Sequence, residues 1–183
     1  MFQRINFIKI ICDHLDTLKR IDTTPRRRSI GDLLLFFIIP LGASVALAYF
    51  KISVDDHITD LITAVSIIGG FLFNLLAIIY GLMDKLTLDV ENQLPESDSG
   101  ELKKIFIKEV HVNISFNILI SLFLLICLLG YSYMPKVYCH QFMIYLNQAV
   151  TALIYFLLFI FFLTMLMILN RIYILLKKND APT

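Results

Sequence analysis

Six of the small or polar residues in the largely apolar run between Thr63 and Gly81 share a regular spacing, which carries the first chemical information in the chain. Thr63, Ser66, Gly70, Asn74, Ala77 and Gly81 follow one another at intervals of 3, 4, 4, 3 and 4. On a helix of about 3.6 residues per turn they form one stripe, and Leu, Ile and Phe take most of the remaining surface. Such a stripe lets another backbone come close; Ser66 with Gly70, and Ala77 with Gly81, are small-xxx-small pairs of the kind that pack membrane helices. The Asn74 amide adds a hydrogen bond across the contact, contributing on the order of 0.6 kcal/mol and rarely above about 2 kcal/mol. Asn113, Asn117 and Ser121 repeat the pattern at intervals of four, and Asn147 with Thr151 offers a third polar pair. Three uses are open for these residues: helix packing within or between subunits, a hydrated path in an oligomer, or a two-state contact that a signal shifts.

Residues suited to covalent or acid–base chemistry are not arranged for it. The chain has no HExxH, GxSxG, Walker or dinucleotide-binding glycine pattern. The paired Gly69 and Gly70 lie among apolar residues with no lysine nearby, so they do not read as a phosphate loop. Cys12, Cys127 and Cys139 fall at three separate levels and make neither a metal site nor an intrachain disulfide framework; Cys139 alone is placed to bridge two subunits, though a solitary unpaired thiol is the more frequent case. Asp55, Asp56, His57 and Asp60 make an acidic turn that suits an outer loop better than a cation site, and His14 and His111 read as interface or packing residues. The expectation is a protein without catalytic residues, metal or cofactor.

These residues must be held by elements that live in lipid. Of 183 residues 58% are hydrophobic and 17% charged, and the mean hydropathy is +0.77, outside the range of ordinary soluble domains. Four uncharged stretches run Leu33–Phe50 (18 residues), Leu61–Met83 (23), Val110–Pro135 (26) and Val137–Asn170 (34), and about 20 helical residues cross a hydrocarbon core. Runs such as "LLLFFII" and "YFLLFIFFL" lack the alternation of a β-barrel strand. The sequence therefore predicts an all-α polytopic membrane protein: four transmembrane helices in an antiparallel bundle, with spans near 33–50, 61–83, 110–133 and 146–170. Pro40 and Gly42 predict a kinked or tilted first span. None of the four stretches carries the intramembrane charge that proton- or ion-coupled transport uses.

Charge orients the bundle. Fourteen of the sixteen Lys and Arg residues precede the first span, link the second to the third, or follow the fourth, and only Lys51 and Lys136 lie in the other two loops. The positive-inside rule then puts both termini and the middle link in the cytoplasm. Arg26, Arg27 and Arg28 are expected to meet inner-leaflet lipid, where each basic residue contributes about 1 kcal/mol. "PRRRSIGDLLLF" also has the look of a twin-arginine signal, but the segment before it is unusually long for one, so an uncleaved anchor is expected.

Residues 1–28 read as a cytoplasmic amphipathic helix and basic linker, with Ile8, Ile11, Leu15 and Leu18 on one stripe. That helix has three candidate resting places: the membrane surface, the protein's own inner face, or a partner. Its Asp13, Asp16 and Asp22 favour packing on protein over anionic lipid. Residues 29–178 form the transmembrane domain, with a cytoplasmic hairpin at 84–109 and a tail at 179–183. Within the hairpin "PESDSG" breaks the helix, and Asp98 with Glu101 has capping-box spacing that starts the next helix near Ser99. "NRIYILLKKND" carries the last helix onward into the cytoplasm.

A four-span protein of this size, with a basic amphipathic start, a "GGFLFNLL" second span and helices extended beyond the membrane, resembles the membrane subunit of the bacterial Kiwa anti-phage defence system. The resemblance is one of architecture over the whole chain. It implies a homo-oligomer, a tetramer, that senses phage attachment or membrane disturbance and works with a cytosolic nucleic-acid-binding subunit, without binding nucleic acid itself. The hairpin and the amphipathic start would be its docking surfaces, and no catalytic residue carries over. A pore that depolarises the membrane is the alternative.

Overall fold

The computed structural model describes residues 7–17, 31, 34–50, 52, 54–92, 98–133 and 141–179; side chains within 86–104 and 175–179 are outside that description. Every described element is helical. In order these are α1 (Phe7–Thr17), α2 (Leu34–Tyr49), a single 3-10 turn at Asp55–His57, α3 (Ile58–Asn92), α4 (Asp98–Ser132) and α5 (Gln141–Asn179). Leu-, Ile- and Phe-rich runs have no solvent water to satisfy their peptide groups in lipid, and a continuous helix satisfies them internally.

Three helices, α3, α4 and α5, are long and apolar enough to cross a membrane, while α2 is a shorter apolar helix. With 35, 35 and 39 residues these three run to about 50–60 Å, well beyond a hydrocarbon core of about 30 Å. The extensions expected at the ends of the spans are thus continuous helix, and α4 begins at Asp98, one residue before its expected start. The first span differs more. Leu34–Ile38 forms a π-helical turn that passes into an α-helix at Ile39, with Pro40 in its first turn. Proline lacks an N–H and crowds the carbonyl four residues back, at Phe36; a widened turn accommodates both without breaking the helix. Phe36, Pro40 and Ser44 then fall one turn apart on the buried side.

The helices form an up-and-down row in the order α3, α4, α5, α2, with α1 laid on α4. Among the described residues α2 and α3 do not pack on each other to any comparable extent, so the row is open. Its centre is α4, with 50% of its most apolar segment buried against 22% for α3. One core cluster joins Leu72 and Ile79 of α3 to Ile107, Val110, Ile114 and Ile118 of α4 and to Phe161 and Ile168 of α5. A second, at the opposite end, joins Val65 to Leu124, Leu128, Tyr131 and Ile154. Low-numbered residues of α3 thus meet high-numbered residues of α4, which makes the pair antiparallel.

Candidate functional site

The two polar stripes face opposite ways. On α3, Thr63, Ser66, Gly70, Asn74, Ala77 and Gly81 are all exposed, on the side turned away from α4. The Thr63 and Ser66 hydroxyls donate back to the carbonyls of Thr59 (2.8 Å) and Ile62 (2.7 Å), so neither needs a partner in lipid. Asn74 has no such recourse, and no hydrogen bond from its amide is made to the described chain. A Cβ on Gly70 or Gly81 would meet nothing within 4 Å, so their smallness has no use in packing within this chain. Gly69 is the reverse: it is buried, and its Cβ would lie 3.3 Å from Ser121 Oγ. The paired glycines therefore divide, Gly69 admitting α4 and Gly70 facing outward.

On α4, Asn113, Asn117 and Ser121 are buried within the chain's own bundle. Ser121 donates to the Ile118 carbonyl at 2.7 Å. Asn117 is fully enclosed, and neither atom of its amide has a partner. Asn113 anchors a polar junction that the sequence did not reveal, built from His14 and Thr17 of α1, Glu109 and Asn113 of α4, and Arg171 of α5. His14 Nδ1 lies 2.9 Å from Asn113 Oδ1; an amide oxygen only accepts, so Nδ1 carries the proton. Thr17 Oγ1 shares its one proton between Asn113 Oδ1 (2.8 Å) and the His14 carbonyl (2.7 Å). Arg171 pairs with Glu109 and donates at 2.6 Å to the Thr17 carbonyl. A cation thereby caps a carbonyl left over at the C-terminal end of α1.

The His14 ring stacks on Phe116 with centroids 3.8 Å apart and planes 5° off parallel, and meets Phe36 of α2 edge-on. Burial at 2% exposure holds its pKa down to about 4; the bond to Asn113 opposes this and the charge of Arg171 adds to it. At neutral pH the imidazole is uncharged, as a stacked and enclosed ring requires. One signal for the junction was present in the sequence: Glu109 precedes Asn113 by four residues and so extends its stripe. Arg171 carried none.

Beside the junction, between α1 and α4, opens a cleft of about 480 Å³ lined by Lys9, Asp13, Asp16, Ile105, Lys108 and Val112 among others. At the far end of the bundle Tyr131 O–H donates to Asp55 at 3.4 Å, while Asp56, His57 and Asp60 are exposed. Asn147 keeps an enclosed, unpartnered Oδ1, and Thr151 is buried. Among the described residues no three His, Cys, Asp or Glu side chains group as metal ligands, and Cys12 and Cys127 are free thiols. Arg26, Arg27, Arg28 and Cys139 lie outside the described residues. No family model, curated protein or solved structure matches this chain.

Proposed function

We propose that this protein is a non-enzymatic, homo-oligomeric scaffold or sensor in the bacterial inner membrane, both termini cytoplasmic, which acts through helix contacts and recruits a cytosolic partner. The observation that carries the oligomer is Asn74: an amide within an uncharged apolar stretch, turned away from its own subunit, on a stripe where Gly70 and Gly81 leave open space. An amide both donates and accepts, so a symmetry-related copy of the same stripe satisfies it while the glycines let the helices close. The architectural resemblance to the Kiwa membrane subunit supports a tetramer, anti-phage defence, and a nucleic-acid-binding protein as the cytosolic partner. The long helices α3, α4 and α5 continue well past their apolar segments, which suits a docking role for their ends.

The pore reading draws on the same stripe. Asn113, Asn117 and Ser121 are enclosed within the subunit, which leaves the α3 stripe alone to line an axis between subunits. Native mass spectrometry in detergent tests the oligomer: wild type runs above the monomer and Asn74→Leu shifts toward it. A wild type that stays monomeric at membrane-like concentrations sinks the proposal. Conductance in planar bilayers that Asn74→Leu alters would favour the pore over the scaffold.

A further inference from the structure

Helix α1 is docked through His14 and Thr17 rather than through its apolar stripe, with Lys9 and Asp16 exposed along its flank. Buried against α4 are His14 and Thr17, held by Asn113 and Arg171, whereas Ile8 and Ile11 are 73% and 40% exposed and Phe7 is exposed beside them. An amphipathic helix that settles on a protein in water does the opposite. Two further observations fix the surroundings. The Phe7 ring meets Phe123 of α4 edge-on at 6.5 Å, and Phe123 lies 13 residues into the uncharged stretch that starts at Val110, about 20 Å along the helix axis. The N-terminal end of α1 therefore reaches well into the apolar part of a helix able to span the membrane. Lys9, by contrast, lines the open cleft that it shares with Asp13, Asp16 and Lys108, a polar setting of the kind lysine heads reach near a membrane interface.

We infer that α1 is a membrane-inserted helix, docked on α4 through His14 and Thr17 and with its apolar face, Phe7, Ile8 and Ile11, seated among the acyl chains of the leaflet at the Glu109 end. On the charge distribution this is the inner leaflet. The stretch would thus add a fifth element to the membrane, one that enters without crossing and is clamped at its C-terminal end by Arg171. A helix of this kind is coupled to its lipid: changes in the packing of that leaflet act on Ile8 and Ile11 and are delivered through His14 and Thr17 to the centre of the bundle. The inference needs only the membrane-spanning helices and does not depend on the oligomer.

The chain contains no tryptophan, so single-tryptophan variants report one position each. Ile8→Trp and Ile11→Trp are reconstituted in vesicles of phosphatidylethanolamine and phosphatidylglycerol, with Phe162→Trp on the exposed side of α5 as the reference for a spanning helix. Circular dichroism and monodisperse elution check that each variant folds. Nitroxide carried on the lipid acyl chain is expected to quench Ile8→Trp and Ile11→Trp several-fold more than iodide in the water, with blue-shifted emission. Stronger quenching by iodide places α1 in water and overturns the inference. Protection from both quenchers means that a second copy or another protein covers the face, and overturns it equally. If Phe162→Trp also escapes lipid quenching, the membrane reading itself fails, a result distinct from failure at α1 alone.

Discussion

Gly69 and Gly70 are neighbours in sequence, yet the same substitution at each should have opposite consequences. At Gly69 a new Cβ lies 3.3 Å from Ser121 Oγ and 3.8 Å from its Cβ, and valine adds two methyl groups beyond that point. Overpacking of this order costs about 1–3 kcal/mol. Replacing glycine within a helix returns roughly 0.4 kcal/mol in propensity, so Gly69→Val should destabilise the subunit by about 1–2 kcal/mol. For a chain of this size that lowers the unfolding midpoint by about 2–8 °C. At Gly70 nothing lies within 4 Å, so valine leaves the subunit's own stability level or slightly raised. It instead fills the space through which a second α3 would approach, and should weaken association at least tenfold, about 1.4 kcal/mol. Thermal unfolding by circular dichroism in dilute detergent reads the first effect, because dilution removes the contribution of assembly to the midpoint. Sedimentation equilibrium reads the second. If Gly70→Val unfolds the diluted subunit as readily as Gly69→Val does, or leaves association intact, the outward assignment of the stripe is refuted.

Two further outcomes follow from the buried polar groups. His14 has a folded-state pKa of about 4 against 6.5 in the unfolded chain, so between those values the unfolded chain binds more protons and low pH works against docking. Hydrogen-exchange protection in α1, each rate taken relative to the intrinsic amide rate at that pH, should be highest above about pH 6.5 and fall as pH drops toward 4, and His14→Phe, which keeps the stack on Phe116, should flatten that dependence; equal pH dependence in both proteins would refute the role of the imidazole. Asn117 is enclosed with both amide atoms unpartnered, an arrangement that costs about 1–3 kcal/mol. Asn117→Leu should therefore raise the unfolding midpoint by a few degrees, and a fall instead would show that the amide has a stabilising partner.

What the sequence made legible and what it did not separate along a physical line. Charge-free length is a property of the chain alone, so the helical class, the long apolar helices and their continuation past the apolar segments could be read directly. Periodicity likewise showed which residues share a face, and both stripes exist as spaced. It does not show what a face meets. In water the answer follows from polarity, since the apolar side goes in, and Ile8, Ile11 and Leu15 would have been assigned to the contact on that ground. In lipid the rule loses its sign: outward positions are filled by Leu, Ile and Phe as readily as inward ones, and polarity favours the places where a helix meets another polar group without fixing them, as the enclosed and unpartnered Asn117 shows. That is why His14 and Thr17 face α4 while Ile8 and Ile11 do not. The same logic explains α3 and α4. Asn113 is enclosed because α1 brings it an imidazole and a hydroxyl, and Asn74 is exposed because nothing in its own subunit brings it anything. An amide in lipid still needs a partner, so the orientation of Asn74 turns a packing pattern into an argument for a second copy of the chain.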